Sequence, residues 1–312
     1  MIKRFAIALA VVVAMPAGIG RIRADLLDEL KVKSSTHGLA IAFVSNREIT
    51  IIPFGRSAFS MTSFGFNFFL ARMTSDGKRM LVSLLERNAK FGLLQNQIVL
   101  LDTRGEVLSV LRHEFINVIE MALSPDNDKV ALLGQDRDTG NVGLFLGGFS
   151  SGDVALVEPL NSYNGVPEES TIGWAADGQQ IVFSKLGQIS TYDLKSKSFA
   201  RLARGRNPTW SPDGKWIGFQ TLDGFPKIIS PNSTASRAIG RGEKIYASLH
   251  WSPDSEYVFV DEHWGVLNPF CDNSRLVVYR LRDNAYAAVY NPCLRKDSFY
   301  GWIIAPELLK TQ

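Results

Sequence analysis

The stretch WSPDGKWIGFQ, Trp210–Gln220, decides the fold. Ser211-Pro212-Asp213-Gly214 is a type I turn string: Ser suits the first position, Pro presets φ at the second, and Gly suits the fourth. The residue before the turn is apolar, and those after it alternate as a strand does. The string therefore reads as a tight hairpin between two strands. Trp210, at its start, is a large apolar plug for packing against a neighbouring unit.

The pattern returns along the chain. Copies are MTSDGKRMLVS at Met73–Ser83, LSPDNDKVALL at Leu123–Leu133, WAADGQQIVFS at Trp174–Ser184 and WSPDSEYVFVD at Trp251–Asp261. Their aspartates, Asp76, Asp126, Asp177, Asp213 and Asp254, lie 50, 51, 36 and 41 residues apart. A second pair of strands follows each hairpin, as in Gln188–Asp193 and Ser198–Leu202 around the polar turn 194–197. Four antiparallel strands recurring at this period make a propeller blade.

Two loose ends complete the count. Ile304-Ala305-Pro306-Glu307 aligns with Trp251-Ser252-Pro253-Asp254, while Gly38–Ser45 and Glu48–Phe54 lack a leading strand. Joined, they form one blade built from both termini, which leaves no sheet edge open around the ring. The expected fold is all-β, a six-bladed propeller of four-stranded antiparallel blades. An open solenoid or a sandwich is the alternative, and the regular turns oppose a sandwich.

Lys3 and Arg4, an apolar run from Phe5 to Val13 and the small residues after it have the layout of a secretory signal peptide. The run is shorter than the roughly 20 apolar residues that span a bilayer. Candidate cleavage sites follow Gly20 or Ala24. The expected organisation is a signal peptide at 1–24, a lead-in at 25–37 and one propeller at 38–312. The chain has 34 Lys+Arg and 31 Asp+Glu; removing 1–24 takes Lys3, Arg4, Arg21 and Arg23 and leaves a net charge of −1. No basic footprint for nucleic acid remains. A periplasmic or secreted monomer is expected, without cofactor or metal.

The WSPDGK string at Trp210–Lys215 resembles the repeat of the TolB propeller and its relatives. The polar turns Phe43–Glu48 and Gly134–Gly140 are similar to that family's Ser-Asp-Arg-Asp-Gly type of turn. The resemblance runs from Leu39 to about Glu307. It implies an envelope platform for protein partners. TolB itself carries an α/β domain before its propeller, and about 14 residues between Ala24 and the first strand leave no room for one. TolB's own partners therefore do not transfer.

Catalytic patterns are missing. There is no Gly-x-Ser-x-Gly elbow and no His-Glu-x-x-His: His113-Glu114 starts that zinc pattern, but Asn117 stands where the second His belongs. The repeated aspartates belong to turns, where they accept backbone N–H groups, on blades too far apart to share an ion. His250 is a candidate for the central channel. Cys271 and Cys293 form a candidate disulfide in an exported protein, with two buried thiols as the alternative. Both lie in loops of one face, and a bridge there would contribute about 3 kcal/mol. That face carries the turns between second and third strands and the inter-blade links. The contact residues expected on it are Arg47, Arg87, Asp136, Lys185, Asp223, His263 and Trp264, with Arg206 and Asn207 beside the channel mouth. Trp264 is the expected anchor, in a long loop spanning Asp261–Ser274. The leading reading is a protein-binding scaffold without catalysis. The alternatives are a channel-centred enzyme or small-molecule binder, and a purely structural domain.

Overall fold

The computed structural model describes residues 24–45, 48–57, 59–63, 68–84, 97–113, 115–136, 138–160, 171–233, 235–245, 248–263, 274–290, 299–304 and 306. The described strands form six four-stranded sheets, antiparallel throughout. Blade 2 consists of Phe68–Met73, Arg79–Leu84, Gln97–Asp102 and Val107–Arg112. Blade 3 is Phe115–Leu123, Lys129–Asp136, Val142–Gly148 and Val154–Pro159. Blade 4 is Ile172–Trp174, Gln180–Lys185, Gln188–Asp193 and Ser198–Arg204. Blade 5 is Arg206–Trp210, Ile217–Gln220, Pro226–Ile229 and Ser236–Ala238. Blade 6 is His250–Trp251, Tyr257–His263, Ser274–Arg280 and Ala285–Tyr290. Blade 1 closes the ring: its inner strand is the C-terminal Phe299–Ile304, paired with Leu39–Ser45, then Glu48–Pro53 and Phe59–Ser63. The register runs from Leu39↔Ile304 to Val44↔Phe299.

The hairpin chemistry repeats with the sequence. The hydroxyls of Thr74, Ser124, Ser211 and Ser252 each donate to the aspartate two residues on. The same hydroxyls accept from the N–H groups of Arg79, Lys129, Trp216 and Tyr257, which open the second strands. Each turn then needs a left-handed residue, supplied by Gly77, Asn127, Gly178, Gly214 and Ser255. The Ser124 hydroxyl holds the Asp126 carboxyl below the usual carboxylate range. The aspartates are thus consumed by turn geometry, as the sequence implied.

Side chains alternate to both faces of each blade and fill the spaces between blades. In blade 1, Ala40, Ala42, Ile49 and Ile51 pack toward blade 2, while Leu39, Ile41 and Ile52 pack toward blade 6. Indole hydrogen bonds join inner strands. Trp174 donates to Ala122 O at 2.9 Å, Trp251 to Thr209 O at 3.2 Å and Trp302 to His250 O at 2.8 Å. Trp210 is equally buried, yet its indole N–H has no partner among the described residues. The outer strands of blades 2 to 5 are largely exposed, and blades 1, 2, 3, 4 and 6 carry a register shift between third and fourth strands. Such bulges blunt an edge against pairing with other chains.

The expected lead-in is a helix, Ala24–His37. Leu26 and Leu30 are fully buried against Tyr257, Phe259 and Leu276 of blade 6 and Ile41 and Trp302 of blade 1. The helix thus covers the seam where blade 1, split between termini, lacks the hairpin turn that its neighbours have. Arg280, 3% exposed, donates to Asp25 at 3.0 Å, to Glu29 and to Asp283 at 2.8 Å. Tyr257 OH also donates to Glu29. Lys33 reaches Asp254, and Glu256 at 2.6 Å. Burial works to raise the Glu29 pKa, but Tyr257 and Arg280 outweigh it and hold the carboxyl below its ordinary value.

Candidate functional site

Each inner strand runs from the face of the inter-blade links to the face of the hairpin turns. The seam helix lies on the latter. The opposite face receives Asp136, Lys185, Arg206, Asn207 and Asp223, as expected from the order of the strands. They do not converge on one point.

Each has a local task. Asp136 ends the second strand of blade 3 and accepts from Thr139 N, Thr139 Oγ1 and Asp138 N. These donors, the Thr139 N–H foremost, hold its carboxyl below the usual range. Lys185 ties blade 4 to blade 3 through Glu158 Oε1 at 3.3 Å and Pro159 O at 3.1 Å. Arg206 Nη2 donates to Leu222 O at 3.0 Å. Asn207 is buried with φ 53°, inside the register shift between Arg206 and Thr209. Asn tolerates that conformation better than most residues, and Pro208 beside it has no N–H to give to a ladder. Asn207 Nδ2 lies 3.4 Å from Gln220 Oε1, and Gln220 in turn donates to Ile245 O. Asp223 is exposed in the turn after Gln220.

The loop expected over 261–274 is shorter. The ladder continues through Asp261↔Leu276, Glu262↔Arg275 and His263↔Ser274, so His263 ends a strand. Cross-strand pairing carries the hairpin three polar residues beyond the apolar run Tyr257–Val260. Arg47, Arg87, Trp264, Cys271 and Cys293 lie outside the described residues, as does the side chain of His263.

Sequence reading misses an apolar cluster on this face. Leu186, Leu222 and Phe225 are 81%, 42% and 36% exposed. Leu186-Gly187 is a two-residue turn between Lys185 and Gln188, with φ 52° and 71°. Two left-handed residues define a type I′ turn, which favours Asn-Gly. A leucine in that conformation costs about 1–2 kcal/mol. The Leu222 side chain lies over Gly187, where a Cβ would sit 3.1 Å from Cδ2. The signal in the sequence is Lys185-Leu186-Gly187-Gln188, a hairpin string with a leucine in the asparagine position.

At the channel wall, Arg72 of blade 2 grips Glu120 of blade 3 with two nitrogens, Nε at 2.7 Å. His250 of blade 6 stacks on Phe259 at 4.5 Å between ring centroids. Enclosure by protein pushes its imidazole down to about 3, and the Arg72 cation adds to this. The residue as a whole is half-buried, and the protein around the ring keeps it neutral. Among the described residues no three His, Cys, Asp or Glu side chains gather as a metal site. His113 directly follows the strand Val107–Arg112 and Asn117 lies in the strand Phe115–Leu123, where residues four apart do not form the helical pair that the zinc pattern needs.

Ring closure by a shared blade and this arrangement of turns define a six-bladed β-propeller. No family model matches the sequence, and no curated protein matches it. Among solved structures, the fold is shared with a putative TolB from Agrobacterium tumefaciens: 17% identity, TM-score 0.58, covering 86% of this chain and 98% of that one. It is also shared with TolB from Acinetobacter baumannii: 17% identity, TM-score 0.56, covering 79% of this chain and 62% of that one. The chain thus spans less than two thirds of the Acinetobacter protein. Its fold is that of a TolB-like propeller.

Proposed function

We propose that the chain is an exported, non-catalytic propeller that serves as a protein-binding scaffold in the cell envelope. The observation that carries this reading is the Leu186–Leu222–Phe225 cluster. Apolar side chains clustered at a surface mark interaction sites more often than scattered ones do. A left-handed leucine at a turn tip is strain without benefit to folding, and such strain collects at functional positions. Export rests on the leader-like segment at 1–24. Among the described residues no helix is long and apolar enough to cross a membrane.

The test is cross-linked capture from envelope fractions with the oxidised, mature protein as bait, beside a bait carrying Leu186→Asp and Leu222→Asp. Both baits must share one melting temperature. A protein recovered by the first bait and lost with the second supports the scaffold and its face. Equal recovery by both moves the contact elsewhere, and turnover of a small substrate by either would overturn the non-catalytic reading.

A further inference from the structure

We propose that the rim of blades 4 and 5 binds an acidic peptide segment with apolar anchors, the apolar residues on Leu186, Leu222 and Phe225 and the carboxylates on the cations beside them. This rests on the scaffold reading above and names its partner by chemistry.

The surface is built from two turns, the strand start next to them and one inter-blade link, held together by main-chain bonds. Gly205 N donates to Gly187 O at 2.9 Å, and Ile245 N donates to Gly224 O at 2.9 Å. Arg206 adds its bond to Leu222 O, so the guanidinium is set beside the leucine. Lys244 runs its methylenes along Gly224, and its Nζ stands 5.8 Å from the Phe225 ring centroid. Arg204 is exposed opposite Gln188, next to the Leu186 turn. The apolar cluster is therefore fixed before any partner arrives, which lowers the ordering cost of binding.

Charge selects the partner. Among the described residues, Arg204 and Lys244 stand exposed around the cluster, against the exposed carboxylate of Asp223 and the partly exposed Glu243. Two nearby acids are already engaged: Glu158 by Lys185, and Glu262 by Arg241, with Glu243 4.0 Å from the same arginine. A segment with leucine-like anchors and flanking Asp or Glu complements this rim, and a basic one is repelled. Complementary charge of this kind raises association rate and specificity. Asp223 stands beside Leu222 and opposes a continuous anionic lipid surface, whereas a peptide can turn a donor toward it. A peptide is therefore favoured over a membrane.

The experiment uses the full mature protein and three fluorescent twelve-residue peptides. Each carries the same two leucines, flanked by Glu, Gln or Lys. Anisotropy should show the Glu peptide binding at least about tenfold tighter than the Gln peptide, with affinity falling as salt rises. Leu186→Asn suits the left-handed turn and should keep or raise the melting temperature while weakening the Glu peptide about tenfold. Arg204→Gln with Lys244→Gln should bring the Glu peptide down to the Gln peptide's affinity. Equal binding of all three peptides, binding to phosphatidylglycerol vesicles instead, no peptide binding, or indifference to Leu186→Asn each overturns the proposal. Capture that depends on Leu186 while every peptide fails would leave the scaffold reading standing and remove only the acidic partner.

Discussion

At the scale of single residues, the tryptophans separate two contributions that usually travel together. Trp251 gives a buried indole hydrogen bond to the preceding blade, and Trp210 occupies the corresponding place with its N–H unpaired among the described residues. Replacing Trp251 with Phe removes a donor and orphans its acceptor, at a cost of about 1–3 kcal/mol beyond lost volume. Replacing Trp210 with Phe removes a buried, unsatisfied donor, so its cost should be smaller by a similar amount. Urea unfolding of both variants measures the difference; equal losses would mean that the indole bonds add nothing to packing. His250 makes a prediction about pH. Its folded pKa, about 3, lies below the unfolded value of about 6.5. Between those values the unfolded chain binds the extra proton, so stability falls as pH falls, by at most about 1.4 kcal/mol per pH unit. His250→Phe keeps the stack on Phe259 and should flatten the stability curve from pH 6.5 to 4. A curve parallel to the parent's would show that His250 is protonated in the fold.

Among elements, the seam helix differs from the strands in what holds it. Arg280 is nearly fully buried and faces three carboxylates, Asp25, Glu29 and Asp283. Arg280→Met takes from those acids their common cation; they are partly exposed and Glu29 keeps Arg282, so the cost should be about 1–3 kcal/mol. Calorimetry should show the loss shrinking toward pH 4, because Tyr257 and this arginine together hold Glu29 below its ordinary pKa and the carboxyl neutralises more readily without the arginine. This helix is not legible in the sequence: residues 25–37 are mostly polar, and Leu26 and Leu30 gain their meaning only from a seam made by opposite ends of the chain. The hairpins are legible because their chemistry is local, a hydroxyl and a carboxylate two residues apart. The contact face is legible only as a face. Which turn presents an apolar tip depends on Leu222 reaching across from the next blade to lie over Gly187, and no spacing within blade 4 shows that.

For the molecule as a whole, the blades are alike but one is assembled differently. Five take their four strands from one run of chain each, and blade 1 is completed by Phe299–Ile304 from the other end of the ring. Ile304 N also bonds to Gly77 O at 2.9 Å, beside Pro253, so the last strand is fastened to blade 2 as well. A chain ending at Ser298 should keep most strands but open at the seam. Limited proteolysis would show it, with cuts near residues 38–54 in the truncated form and not in the parent. Uniform resistance would mean that the ring holds without its clasp.

That clasp also sets an order in time. Synthesis proceeds from the N-terminus, and the inner strand of the first blade is made after every other described strand. The ring therefore stays unsealed while the chain is being translated. A nascent chain with an open seam is easier to keep threadable than a closed ring, so late completion of the ring agrees with the export proposed above.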